Sequence, residues 1–238
     1  MRLIGAYGPA IAALITASRE GGRIVVSNLL ARIMRVRVAW TSYVVALLLP
    51  AVLLLLAAGV HTLIGGTPLD FGNPPLVQLG RGVAMSQAPL LILPYLLGQF
   101  LSVLGEEIGW RGYALPRLLS AYNWTKASLL LGVIWAIWHI PLTLVKGSIQ
   151  DLISPVWYNL DLLGSAFLFT WLAMRSRGSV FIATLFHASI NTATIFLPIL
   201  SLSGGSAQPF IISVLVKWAM VVGLNLRPSQ DVSQDVVA

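Results

Sequence analysis

The 238-residue chain alternates long apolar runs with short polar connections. Runs at about residues 39 to 64, 88 to 112, 126 to 146, 153 to 174, 179 to 200 and 208 to 224 approach or exceed the roughly 20 residues with which a helix crosses a ~30 Å hydrocarbon core. A further run, Leu3 to Ser18, starts almost at Met1 with neither a basic leader nor a small-residue cleavage site, so it reads as a membrane helix and not as a removable signal. In lipid every backbone polar group needs an internal partner, and uninterrupted runs of this length satisfy that as helices. The pattern predicts an all-α polytopic transmembrane helix bundle of about seven membrane helices and no soluble domain. Residues 1 to 225 read as one domain and 226 to 238 as a polar tail. Between the first two runs, "RIVVSNLLARIMRVRV" (Arg23 to Val38) spaces arginines among apolar residues as an amphipathic helix on an anionic membrane surface does. The Gly/Pro-rich "GGTPLDFGNPP" (Gly65 to Pro75) reads as an extracytoplasmic loop.

Composition agrees: 57% of residues are hydrophobic, 10% are charged, and mean hydropathy is +0.85, outside the range of soluble domains. The net charge of +7 does not indicate nucleic acid, because the bases fall in short clusters between apolar runs. These clusters are Arg19 to Arg37, Arg111 to Lys126, Arg175 to Arg177 and Arg227, which is every second connection; the others hold isolated bases such as Arg81 and Lys146. The positive-inside rule then puts the base-rich side in the cytoplasm and the amino terminus outside. The chain has no cysteine, which removes disulfides, thiolate ligands and a cysteine nucleophile. Trp40, Trp110, Trp157 and Trp218 lie near span ends as aromatic belts do, and His61 reads as interfacial at the outer end of its span.

What the pattern does not explain is charge inside the runs. Glutamate occurs only at 20, 106 and 107, the last two within "LSVLGEEIGWRGYALPRL" (Leu101 to Leu118). A charge at the bilayer centre costs about 2.5–3.5 kcal/mol on insertion scales, so such residues are read as functional by default. Four residues apart on a helix, Glu107 and Arg111 share a face and pair, whereas Glu106 points about 100° away, toward a cleft. Two histidines also lie within runs: His139 in "GVIWAIWHIPL", four residues after Trp135, and His187 in "IATLFHASINTA", four before Asn191. Measured from the base-rich edge, Glu106, His139, His187 and Asn191 fall in one layer roughly 15–21 Å deep at 1.5 Å per residue. A polar layer drawn from three helices is what a buried site opening toward the cytoplasm requires.

The chain lacks a GxSG serine motif, a GxGD aspartate motif and an HExxH zinc helix. A glutamate in apolar surroundings suits a general base that takes a proton from water, with His139 as the partner holding that water. Asn191 and a ring N–H of His187 are then placed to donate to the oxyanion formed when water attacks a peptide carbonyl. Two other classes also use buried Glu and His: a transporter or proton relay, and a non-catalytic membrane scaffold.

Glu106-Glu107 with Arg111 matches an EExxxR motif, Trp135 with His139 a (F/W)xxxH motif, and His187 with Asn191 an HxxxN motif. This ordered trio resembles the CPBP family, also called the Abi or type II CAAX prenyl endopeptidase family, of intramembrane proteases. "WLAMRSRGSVFIATLFHASINT" and the early "GAYGPAIAALI" are also similar to bacterial members, and the motif-bearing core spans about residues 88 to 200. The resemblance implies that Glu106 and His139 activate water, that His187 and Asn191 stabilise the oxyanion, and that Glu107, Arg111 and Trp135 support them. It implies a membrane-associated, lipidated peptide or protein as substrate and a bacterial plasma membrane as location, while some bacterial members are linked to bacteriocin immunity. Family chains commonly carry another helix ahead of the Gly-Pro segment, which would raise the count to eight and move the amino terminus to the cytoplasm. The family has been described as both metalloprotease and glutamate protease. Glu106, His139 and His187 are the donor set of an open zinc site, but Asn191 one turn from His187 fits an oxyanion pair that a zinc reading leaves unexplained, so no cofactor is expected.

Overall fold

Each of the seven apolar runs is helical over most of its described residues. The computed structural model describes residues 5–80, 83–146, 149–200, 206–226 and 236. Residues 1–4 of the first run, Arg81, Arg227 and most of the tail lie outside them. The principal elements are α1 (Gly8–Ile33), α2 (Trp40–Leu63), the short α3 (Pro75–Leu79), α4 (Ala88–Glu107), a π-helical segment (Ile108–Ala114), α5 (Leu115–Ala121), α6 (Trp124–Thr143), α7 (Pro155–Arg175), α8 (Val180–Phe196) and α9 (Gln208–Asn225). Among the described residues there is no β-strand.

Two helices form the centre. From Trp157 to Met174 on α7, and along all of α8, no residue is exposed. α8 packs between α2 and α4, and α7 between α6 and α9. α2, the continuous helical stretch Met85–Ala121, α6 and α9 are each long and apolar enough to cross a membrane. These outer helices carry the exposed Leu48, Leu56, Leu90, Leu97, Ile137 and Leu215, the residues that meet lipid. α8 is apolar but only 17 residues long, and α7 carries Asn159 and Asp161; surrounded by other helices, neither has to match lipid in length or composition.

Helix starts are set locally. Asn123 Oδ1 accepts from the Lys126 amide at 2.9 Å and caps α6; Ser179 Oγ accepts from the Ile182 amide at 3.2 Å and caps α8. Pro89, Pro155 and Pro209 occupy first turns, where no amide hydrogen bond is lost.

Several expectations are corrected. The arginine-rich segment is helical as far as Ile33: it continues α1 after a kink at Gly21–Gly22, where Gly22 has φ +58°, and it packs Val25, Val26, Leu29 and Ile33 back onto the bundle while Ile24, Leu30 and Met34 stay exposed. Its Arg32 is buried, with Nη1 donating to the carbonyl of Val236 at 2.6 Å. His61 is not interfacial but fully buried, because the loop after α2 folds over it and places the Thr67 carbonyl 2.8 Å from Nε2. Trp40 is exposed as a belt residue would be, but Trp110 turns inward onto Trp138 (6.1 Å) and Trp218 donates to the Leu160 carbonyl at 3.0 Å.

Candidate active site

The long helix carrying the glutamates changes character immediately after them. α4 ends at Glu107 and the chain continues as a π-helical turn through Ala114, a wide-turn geometry frequent at functional sites. The expected regular helix over 88 to 112 therefore holds only as far as the carboxylates. The reason lies in packing: Gly105 and Gly109 face α1 so closely that an added Cβ would stand 2.7 Å from the Tyr7 Cα and 2.6 Å from the Pro9 backbone. Small residues four apart allow this backbone approach, as they do between membrane helices generally.

The two carboxylates face different neighbours. Glu107 is fully buried, and its Oε1 accepts from Arg111 Nη1 at 2.9 Å and from His187 Nδ1 at 2.7 Å. Arg111 is equally enclosed; its Nε and Nη2 have no hydrogen-bond partner, and its guanidinium carbon lies 3.7 Å from the Phe169 ring centroid and 4.5 Å from that of Trp135. Aromatic faces there take the place of acceptors. Glu106, 7% exposed, accepts from Trp135 Nε1 through Oε2 at 3.2 Å. The Trp135 carbonyl accepts from His139 Nδ1 at 2.9 Å, and the Trp135 ring stands edge-to-face against both His139 (5.1 Å) and His187 (5.5 Å). Glu106, His139 and His187 thus converge on one tryptophan. Each histidine spends Nδ1–H on an oxygen that can only accept, which directs Nε2 to the remaining space.

Residues 88–193, which hold every one of these groups, match the family model described as Rce1-like, type II CAAX prenyl endopeptidase. A CAAX prenyl protease 2 from Methanococcus maripaludis is 37% identical in an alignment of 156 positions that covers 62% of this chain and 53% of the relative. The chain is therefore aligned to about half the length of the curated relative it matches. Its residues 88–193 are similar to the Rce1-like family.

Within the matched segment the structure brings together Glu106, Trp135, His139, Glu107, Arg111 and His187. Asn191 Nδ2 donates to Gln99 Oε1 at 2.9 Å, while His187 is tied to Glu107. Asn191 and His187 share a helix, but each is oriented by α4. Glu106, expected to be free for a cleft, is held by Trp135. Reading the sequence missed Gln99, Phe169 and Tyr158, the last 6.0 Å from His139 ring to ring. Gln99 had a signal: it is a polar residue in an apolar run, seven positions before Glu106 and hence on the same helical face. Phe169 had none, being one apolar residue among many on α7. As to metal, both histidines present Nε2 in the manner of ligands held by an outer partner, but among the described residues no three His, Asp or Glu side chains converge closely enough to hold an ion.

Proposed function

We propose that this chain is an intramembrane endopeptidase that hydrolyses a peptide bond in a membrane-associated, lipidated protein. The observation that carries the reading is the double use of Trp135: its ring N–H fixes Glu106 and its carbonyl fixes His139, so carboxylate and imidazole address one space. A water there gives its proton to the Glu106 carboxylate as its oxygen attacks the peptide carbonyl, with His139 Nε2 accepting the second O–H. The oxyanion accepts from Asn191 Nδ2–H and His187 Nε2–H. His187 Nδ1 is committed to Glu107, which leaves Nε2 as the ring atom that faces the oxyanion. Collapse of the intermediate breaks the C–N bond, and the leaving amine takes the proton from Glu106. In this reading no metal takes part.

The base-rich ends of the helices support a site opening toward the cytoplasm, and the similarity to bacterial members supports a bacterial plasma membrane. The name of the Methanococcus maripaludis relative supports C-terminal CAAX processing as the reaction. The test is mass spectrometry of prenylated and unprenylated C-terminal peptides incubated with wild type and Glu106→Gln, with and without chelator. Wild type is expected to produce new carboxyl termini in both buffers, and Glu106→Gln to be slower by about 10²–10⁴-fold, the usual worth of a general base. Full turnover by Glu106→Gln would reject the mechanism, and loss of turnover with chelator would reject its metal-free form.

A further inference from the structure

Gln99 is half-buried in an apolar stretch of α4, eight residues before Glu107, and among the described residues its side chain is hydrogen-bonded to Asn191. With Glu107–His187 it forms the second of two polar contacts joining antiparallel α4 and α8. The amide of asparagine turns about a broad, two-fold torsion, so its nitrogen and oxygen exchange places at little cost unless a neighbour selects one. With Gln99 presenting Oε1 at 2.9 Å from Nδ2, the Asn191 nitrogen is the atom held, and one of its two N–H groups is occupied. The other N–H remains for a second acceptor. Gln99 also lies on the same α4 face as Glu106, two turns away along the helix.

We propose that Gln99 is a positioning residue that fixes the Asn191 amide with its nitrogen toward the developing oxyanion. The inference rests on the oxyanion role given to Asn191 in the proposed reaction. It predicts an effect confined to the chemical step, because the contact is to Asn191 and acts when charge forms on the substrate oxygen.

Turnover of a cleaved peptide is measured for wild type, Gln99→Met, Asn191→Ala and the double variant, each purified as a folded, monodisperse protein. Asn191→Ala is expected to lower kcat by about 10²–10³-fold, as loss of one oxyanion donor does. Gln99→Met is expected to lower kcat roughly tenfold, in the range of outer partners of site residues, with KM unchanged. In the double variant kcat falls no further than in Asn191→Ala, because Gln99 has nothing left to orient. Gln99→Glu, which keeps only acceptor oxygens, retains most of the wild-type kcat. Wild-type kcat in Gln99→Met, or a further loss on combining the two changes, overturns the inference while Asn191→Ala stays impaired. Wild-type kcat in Asn191→Ala overturns instead the oxyanion reading on which it rests.

Discussion

Glu106 and Glu107 are adjacent in sequence but about 100° apart around the helix, and that angle separates their surroundings. Glu106 meets Trp135 at the edge of the remaining space; Glu107 lies wholly inside and accepts from Arg111 and His187 through one oxygen. Removing the guanidinium therefore strands a buried carboxylate. Arg111→Met is expected to cost about 3–5 kcal/mol in unfolding free energy, the usual penalty for breaking a buried pair. The double variant Glu107→Leu/Arg111→Met removes both charges and is expected to regain much of that stability. It does not regain turnover, because His187 has lost the acceptor that orients its ring. Thermal unfolding in detergent, read beside turnover of the same preparations, separates the two effects; equal recovery of both would show that Glu107 serves stability alone.

At the scale of elements, the site depends on how closely α1 lies against the turn that follows the glutamates. Gly109 leaves no room for a methyl group beside the Pro9 backbone, so Gly109→Ala must push α1 away from the π-helical segment that carries Arg111. Overpacking of this kind costs about 1–3 kcal/mol. The expected result is a lower unfolding temperature and reduced turnover, whereas Gly98→Ala, a position where nothing lies within 4 Å of an added Cβ, leaves both unchanged. This dependence also shows what the sequence discloses. Apolar length disclosed every helical run, because lipid fixes how long an unbroken span must be. Charges in those runs disclosed Glu106, Glu107, Arg111 and the two histidines, because lipid makes each costly. The π-helical turn had no such signature, since it follows from the contact of Gly105 and Gly109 with a helix a hundred residues away. The fastening of α7 to α9 was hidden for a similar reason: Lys217 and Asp161 are lone charges on separate runs, and only packing brings Nζ to 2.5 Å from Oδ1 and 2.8 Å from Ser165 Oγ. The ligand-like placement of the histidines had to await the partners of their Nδ1 atoms.

Over the whole molecule, charge and packing agree about which helix ends lie together. Leu119 of α5, Ala127 of α6 and Ala173 of α7 form one cluster at the end where the bases gather. There Arg117 pairs with Glu20, Arg35 donates to the Arg177 carbonyl, and Arg177 Nη2 donates to the Arg37 carbonyl at 2.8 Å. At the opposite end Ala88, Ile195 and Phe196 pack with Leu76, Tyr95 and Ile149, among connections with few bases. Among the described residues the fold thus has one basic end and one nearly neutral end, and the positive-inside rule leads to the expectation that the basic end faces the cytoplasm. The absence of cysteine makes this directly testable, since a single introduced thiol is the only one in the chain. Ser120→Cys marks the basic end, and Asn73→Cys and Ser154→Cys the other, all three at exposed positions. With a membrane-impermeant maleimide on intact cells, Asn73→Cys and Ser154→Cys are expected to react and Ser120→Cys to react only after permeabilisation. The reverse pattern would put the basic end outside. His187, eight residues from the α8 cap at Ser179 and so about 12 Å from that end along the helix, would then be nearer the outer surface, and a substrate tethered in the cytoplasmic leaflet would have to cross most of the bilayer to meet it. Labelling of the basic end only from within gives the site the short approach that hydrolysis of a cytoplasmic lipidated tail needs.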